Sequence, residues 1–485
     1  MMNLKINPKA RERNIKRCRE RGIVIPTFEQ MKHPEKIRQD IVGKLREVGL
    51  WDVNPLNLFR ITWKNEPKEK GGGFKNVNYM VFPSELTGVE ARIVALVGKW
   101  FPTGAHKVGA TFGCLVPALV TGNFDSTRQM AVWPSTGNYC RGGAYDSALL
   151  GCKSIAILPE GMSKERFEWL NKISGEVIKT PGSESNVKEI FDKCKELRQQ
   201  RGDQIVIFNQ FEEFGNYLWH YDISGNAILE VIKEVSTGSD RVAGYVSSTG
   251  SAGTIAAGDL LKRRYPELKI CAGEALQCPT LLCNGFGEHR IEGIGDKHVP
   301  WIHNVKNTDI VAAVDDQDCI NVMRLFNEEE GRKYLTEKGV PRPTANSLDL
   351  LGISGIANLL ASIKFAKYYE LDSTDIVITI LTDSMDLYQS RIVEEREKHG
   401  SLSREDAVGI FSASLPSQRT HMLELDYYEG KRIHNLKYYT WIEQQGKDVN
   451  ELNAQWYDKD YWTSIQDLVP SIDRHIMEFN KEVGL

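Results

Sequence analysis

The chain has 485 residues, enough for two or three domains with ample core. Its 61 basic and 65 acidic residues leave a net charge of −4, which excludes a global pull toward nucleic acid or an anionic membrane surface. No apolar run reaches a membrane span, the N-terminus lacks an apolar signal segment, and nine scattered cysteines without zinc-finger spacing read as reduced thiols of a cytoplasmic protein.

Residues 1–75 read as an N-terminal helical extension. A basic run from Lys9 through Arg11, Arg13, Arg17, Arg19 and Arg21 is interleaved with Glu12 and Glu20, the pattern of a solvated helix face. Helical periodicity returns at 37–48, and the Lys- and Gly-rich stretch 64–75 reads as a loop. From Ala91 the pattern changes to strands alternating with helices. Strands are expected at 92–97, 130–133, 154–158, 176–179, 205–208, 242–246, 270–273, 310–314 and 376–381. Between them fall helices, among them one following Lys107 and others ending near 150, 173, 198 and 369. Ser163 is the expected cap of the helix ending near 173, with Glu165 in its first turn. This alternation specifies an α/β fold with parallel strands and crossover helices. Beyond 400 the sequence becomes helical and rich in aromatic residues (Tyr427, Tyr428, Tyr438, Tyr439, Trp441, Trp456, Tyr461, Trp462), which reads as packing or a subunit contact.

Three strand-to-helix loops carry the chemistry. In the first, Lys107 stands where a loop gives way to an apolar helix whose Val108, Phe112, Leu115, Val116 and Leu119 share one face. A half-shielded lysine can shed its proton and react as an amine. Thr103 and Gly104 are expected to cap and bend the entry, and Pro117 to kink or end the helix. In the second, Ser135-Thr136-Gly137-Asn138 opens a helix, whose unpaired N–H groups suit a carboxylate. In the third, Gly250-Ser251-Ala252-Gly253-Thr254 is small enough to fold tightly and point several N–H groups at one anion, as a phosphate requires. It matches neither a Walker loop nor GxGxxG. A reactive lysine, a carboxylate cradle and a phosphate cup together call for an aldehyde cofactor bearing a phosphate, and pyridoxal 5′-phosphate fits.

These motifs resemble those of the cysteine synthase and tryptophan synthase β-chain group of pyridoxal-phosphate enzymes (fold type II). Thr103-Gly104-Ala105-His106-Lys107 is similar to the lysine segment of tryptophan synthase β-chains. Ser135 to Asn138 resembles the substrate-carboxylate loop of cysteine synthases, and the run from Pro159 to Arg166 their next turn. The run from His220 to Gly225 resembles a segment preceding the phosphate loop. His289-Arg290-Ile291-Glu292-Gly293-Ile294-Gly295 is close to the segment lining the substrate side. The resemblance covers about residues 75 to 395. It departs from cysteine synthases at Val108-Gly109, where they carry Asp-Arg, and at Ala252, where glycine is usual.

The resemblance implies two doubly wound, mostly parallel-sheet domains like those of tryptophan synthase β. The catalytic core would span 76–400, with a small lobe at about 125–215 inserted in a large lobe and a C-terminal helical extension at 401–485. It implies that Lys107 is the catalytic lysine that tethers the cofactor. Asn138, Gly250, Ser251, Ala252, Gly253 and Thr254 would contact that cofactor, with Thr382, Asp383 or Ser384 facing its ring nitrogen. Ser135, Thr136, Gly137, Asn138 and Gly293 would hold an amino-acid substrate. The expected activity is β-elimination or β-replacement on that amino acid. Serine or threonine dehydration, or a β-subunit that works only with a partner, are the alternatives. A homodimer without nucleic-acid, membrane or metal partners is expected.

Overall fold

The computed structural model describes residues 2–135, 137–162, 164–182, 187–415 and 419–485. Thr136 and Ser163 lie outside the described residues, as does the side chain of Glu165. Among the described residues, eleven strands form two sheets. They are β1 (Tyr79–Phe82), β2 (Arg92–Val97), β3 (Met130–Pro134), β4 (Lys153–Pro159), β5 (Glu176–Thr180), β6 (Ile205–Ile207), β7 (Arg241–Ser248), β8 (Lys269–Ala275), β9 (Ile310–Val314), β10 (Asp375–Leu381) and β11 (Met422–Glu424). A seven-stranded sheet runs β1-β2-β10-β7-β8-β9-β11, and a four-stranded sheet runs β5-β4-β3-β6. Every pair is parallel except β1 with β2 and β11 with β9 at the two edges of the larger sheet. The fold is the expected α/β pair of doubly wound sheets with helical extensions. Strand β11 carries the larger sheet past residue 400.

The helices that matter for the site are α1 (Pro8–Glu20), α2 (Lys107–Thr121), α3 (Asn138–Leu149), α4 (Phe214–Trp219), α5 (Ile353–Tyr368) and α6 (Val469–Val483). The larger sheet is buried on both faces, as its near-continuous apolar strands require. Val94 and Leu96 with Ile376, Ile378 and Ile380 join one core; Ile93, Ala95 and Val97 with Val377 and Leu381 join the other. The side-chain period of two divides each strand between the two cores.

The helix after Lys107 does not end at Pro117. It runs on to Thr121. The proline withholds the N–H that Gly113's carbonyl would accept, but Gly215 of α4 lies against that carbonyl, so the gap falls inside a tight helix crossing. Nor does Thr103 cap it. The residue before the helix is His106, and Thr103 stands in a left-handed bend with φ 67°.

The basic run of α1 is solvated only in part: Lys9, Glu12, Lys16, Glu20 and Arg21 are exposed, while other members dock. Arg11 donates through Nε to Val120 O at 2.9 Å and pairs with Glu482 at 2.6 Å. Arg13 pairs with Asp125, Arg17 reaches Ser126 O, and Arg19 reaches Val483 O. Between them, buried Asn14 donates to Leu119 O (2.8 Å) and Phe124 O (2.7 Å) and accepts from Ser126 N and Oγ. Asn14→Ala strands these partners in a dry interface, so we expect a loss of about 3 kcal/mol in stability. Urea unfolding monitored by fluorescence checks this; an unchanged midpoint would contradict it.

The C-terminal aromatics divide. Trp441, Trp456, Tyr461 and Trp462 are buried, whereas Tyr427, Tyr428 and Tyr439 are exposed. All nine cysteines are free thiols. No helix among the described residues is long and apolar enough to cross a membrane.

Candidate functional site

Parallel sheets place ligands outside the carboxyl ends of their strands, and the three sequence loops meet there. The loop after β7 brings Ser251, the loop after β3 brings Ser135 and Gly137, and the first turn of α2 brings Lys107. They line one cavity with Asn138, Gln210, Gly250, Gly293, Asp296, Ser354 and Thr382.

Lys107 Nζ lies 3.0 Å from Ser251 Oγ, which also accepts from Asn216 Nδ2 at 2.9 Å. The turn holding Ser251 is tight. A Cβ at Gly253 would stand 2.0 Å from Asn216 Oδ1, and one at Gly250 2.7 Å from Gly293 O. Ala252 adopts φ 59°, a left-handed conformation that costs an alanine about 1 kcal/mol. The N–H groups of Gly250, Ser251 and Ala252 donate no hydrogen bond among the described residues, although Ser251 and Ala252 are buried. Buried amides are rarely left so, and three in succession form an anion-binding nest.

His106 Nε2 lies 3.1 Å from Thr254 Oγ1 at the end of this turn. Its ring is fully buried against Trp63 and His220. Burial, and the charge of Lys107 after it, push its pKa well below the usual histidine value, so the imidazole is neutral.

On the opposite wall, Ser135 Oγ accepts from Gly137 N at 3.1 Å and Gln210 Nε2 at 3.2 Å. Asn138 Nδ2 crosses to the larger sheet, donating to Asp383 Oδ2 at 2.5 Å, while its Oδ1 is buried without a partner among the described residues. Asp383 also accepts from Tyr388 OH at 2.6 Å. Thr382, not Asp383, lines the cavity, its hydroxyl 2.5 Å from Ser354 Oγ. Ser384 is buried after it.

A family model for pyridoxal-phosphate-dependent enzymes matches residues 100–333, which hold Lys107, the amide nest and the Ser135 loop. The chain resembles that family over this span, 234 of its 485 residues. It is similar to a cysteine synthase of Staphylococcus aureus, with 29% identity over 260 residues covering 53% of this chain and 75% of the relative. A probable cysteine synthase of Bacillus subtilis is 27% identical over 290 residues, covering 60% and 85%. The solved cysteine synthase of Entamoeba histolytica, 20% identical, shares the fold with a TM-score of 0.56 over 69% of this chain and 92% of that one.

The residues present fit the family's cofactor. A primary amine faces the nest of unpaired amides, as an aldehyde and a phosphate on one molecule require. The orphaned Asn138 Oδ1 and the Ser354–Thr382 hydroxyl pair offer further polar partners in the same cavity. Among the described residues no cluster of His, Cys, Asp or Glu could hold a metal. Motif reading missed His106, Gln210, Asn216, Ser354 and Asp296. Two of them carried a signal: His106 stands inside the lysine motif, and Asp296 directly follows the motif that ends at Gly295.

Proposed function

We propose that the chain is a cysteine synthase-like enzyme acting at the β-carbon of an amino acid, by elimination or replacement. One observation carries the reading: Lys107 Nζ, the amide nest at Gly250–Ala252 and the Ser135 loop open onto the same cavity. When bound, pyridoxal phosphate supplies an electron sink for charge developing at the α-carbon. Lys107 tethers the cofactor, and its amine, once released, takes the α-proton. Gly250, Ser251, Ala252, Gly253 and Thr254 hold the phosphate. Asn138 holds the cofactor ring from the small sheet. Ser135 and Gly137, with Thr136 and Asn138 beside them, orient the substrate carboxylate from the N-terminal end of α3, and Gly293 closes the substrate side.

We assign Thr382 to the ring nitrogen. Asp383 is already engaged by Asn138 and Tyr388, which supports a positioning part for it. A hydroxyl there leaves the nitrogen unprotonated. We take 76–400 as the catalytic core, with 125–215 as its small lobe and helical extensions on either side. A cytoplasmic homodimer completes the reading, supported by nine free thiols and by the exposed Tyr427, Tyr428 and Tyr439.

The test is product analysis with pyridoxal phosphate-loaded protein. We expect O-acetylserine with sulfide to yield cysteine, and O-acetylserine alone to release pyruvate and ammonia slowly. If no β-substituted amino acid perturbs the cofactor absorbance or yields either product, the reading is wrong.

A further inference from the structure

The cavity wall carries a carboxylate that the reading above leaves idle. Asp296 lines the same space as Lys107, Asn138 and Gln210, and the residue is only 8% exposed. Its loop is rigidly held. Gly293 and Gly295 adopt φ 101° and 76°, Gly295 N donates to Thr249 O at 3.0 Å, and His289 Nε2 donates to Gly295 O at 2.7 Å. Thr280 Oγ1 donates to Asp296's own backbone carbonyl at 2.9 Å. The Asp296 carboxylate itself makes no hydrogen bond or ion pair among the described residues. The charged and titratable groups around it are Lys107 from α2, Cys278 from the turn after β8, and Lys297, His298 and His289 on its own loop. Burial raises its pKa to about 7, with Lys107 pulling the other way. His298 is pushed down to about 3 by burial and is neutral. The other polar side chains on the wall are amides and hydroxyls that do not titrate near neutrality.

We infer that Asp296 is the second proton-transfer group of the site, serving the leaving group and the nucleophile while Lys107 serves the α-carbon. The inference rests on the β-substitution reading. As the bond from the β-carbon to the leaving group X breaks, its electron pair departs with X, and X takes the proton of the Asp296 carboxyl to leave as HX. When a nucleophile Nu–H then bonds to the β-carbon, its proton passes to the Asp296 carboxylate and restores the acid. Hydroxide and thiolate are poor leaving groups without that proton. Chloride needs none. A buried acid poised near neutrality is the kind of group that enzymes use for this transfer.

The experiment compares L-serine with 3-chloro-L-alanine, using the full chain loaded with pyridoxal phosphate and reading pyruvate release. Asp296→Asn is expected to lower the serine rate by about 10²- to 10⁴-fold, and the chloroalanine rate by a far smaller factor. In the unmutated protein, the ratio of kcat/KM for serine to that for chloroalanine should fall about tenfold per pH unit above about 7. This second measurement decides the matter if the variant does not load cofactor. Equal losses on both substrates, or a ratio flat with pH, overturn the assignment. Pyruvate from neither substrate in the unmutated protein instead sinks the β-substitution reading, and the assignment with it.

Discussion

Replacing Lys107 with Ala is expected to abolish covalent attachment of pyridoxal phosphate and to lower turnover by on the order of 10⁴-fold or more. Two losses combine. The amine we propose as the cofactor's tether is gone, and with it the proposed base for the α-proton. The amide nest of Gly250, Ser251 and Ala252 is untouched, so the variant should still hold the cofactor through its phosphate, more weakly and without a bond. Borohydride treatment followed by peptide mass analysis checks this. The unmutated chain should carry the reduced cofactor on Lys107, and the variant on no lysine. A Lys107→Ala protein whose yellow absorbance still bleaches with borohydride into a stable adduct would show that another amine is the tether.

The second large effect concerns the helix that presents Lys107. Helix α2 crosses α4 backbone to backbone. A Cβ at Gly113 would stand 2.3 Å from Gly215 O, and one at Gly215 2.1 Å from Gly113 O. Neither neighbour is a side chain that can swing aside. Gly113→Val and Gly215→Val should therefore each cost at least the upper end of the usual overpacking penalty, about 3 kcal/mol. The displaced α2 should also weaken cofactor retention. Gly43→Ala is the control, because Gly43 lies in a helix with nothing within 4 Å of its added Cβ. That change should stabilise the protein by about 0.5–1 kcal/mol. Denaturant midpoints of the three variants read both signs; a Gly113→Val protein as stable as the parent would mean that the crossing is looser than described.

The parallel strands were legible in the sequence because burial on both faces leaves unbroken apolar runs, as in 92–97 and 376–381. The antiparallel edges were not. Tyr79–Phe82 and Met422–Glu424 are short and half-exposed, and pair at the rims where no long apolar run is needed. The arginines of α1 misled for a different reason. A guanidinium at a helix face looks solvated in one dimension, yet Arg11 and Arg19 reach carbonyls that come from Val120 and Val483. In the site, the loops that carry a local motif were visible. Ser354 was not, since its partner Thr382 is 28 positions away and nothing near either residue announces the pairing. Of Thr382, Asp383 and Ser384, Thr382 lines the cavity.

Helices α1 and α6 meet on the lysine helix. Arg11 pairs with Glu482, Arg19 reaches Val483 O, and Phe479, Ile476 and Ile472 of α6 share a core with Leu115 and Leu119 of α2. During synthesis, about 360 residues separate Leu119 from the emergence of Phe479. At ribosomal speeds of roughly 5–20 residues per second, the helix bearing Lys107 waits tens of seconds with an apolar flank uncovered. The nascent protein is then most exposed to chaperones and to self-association. Docking of helix α6 closes this flank, and a chain cut before α6 would carry a lysine-bearing helix without its last cover.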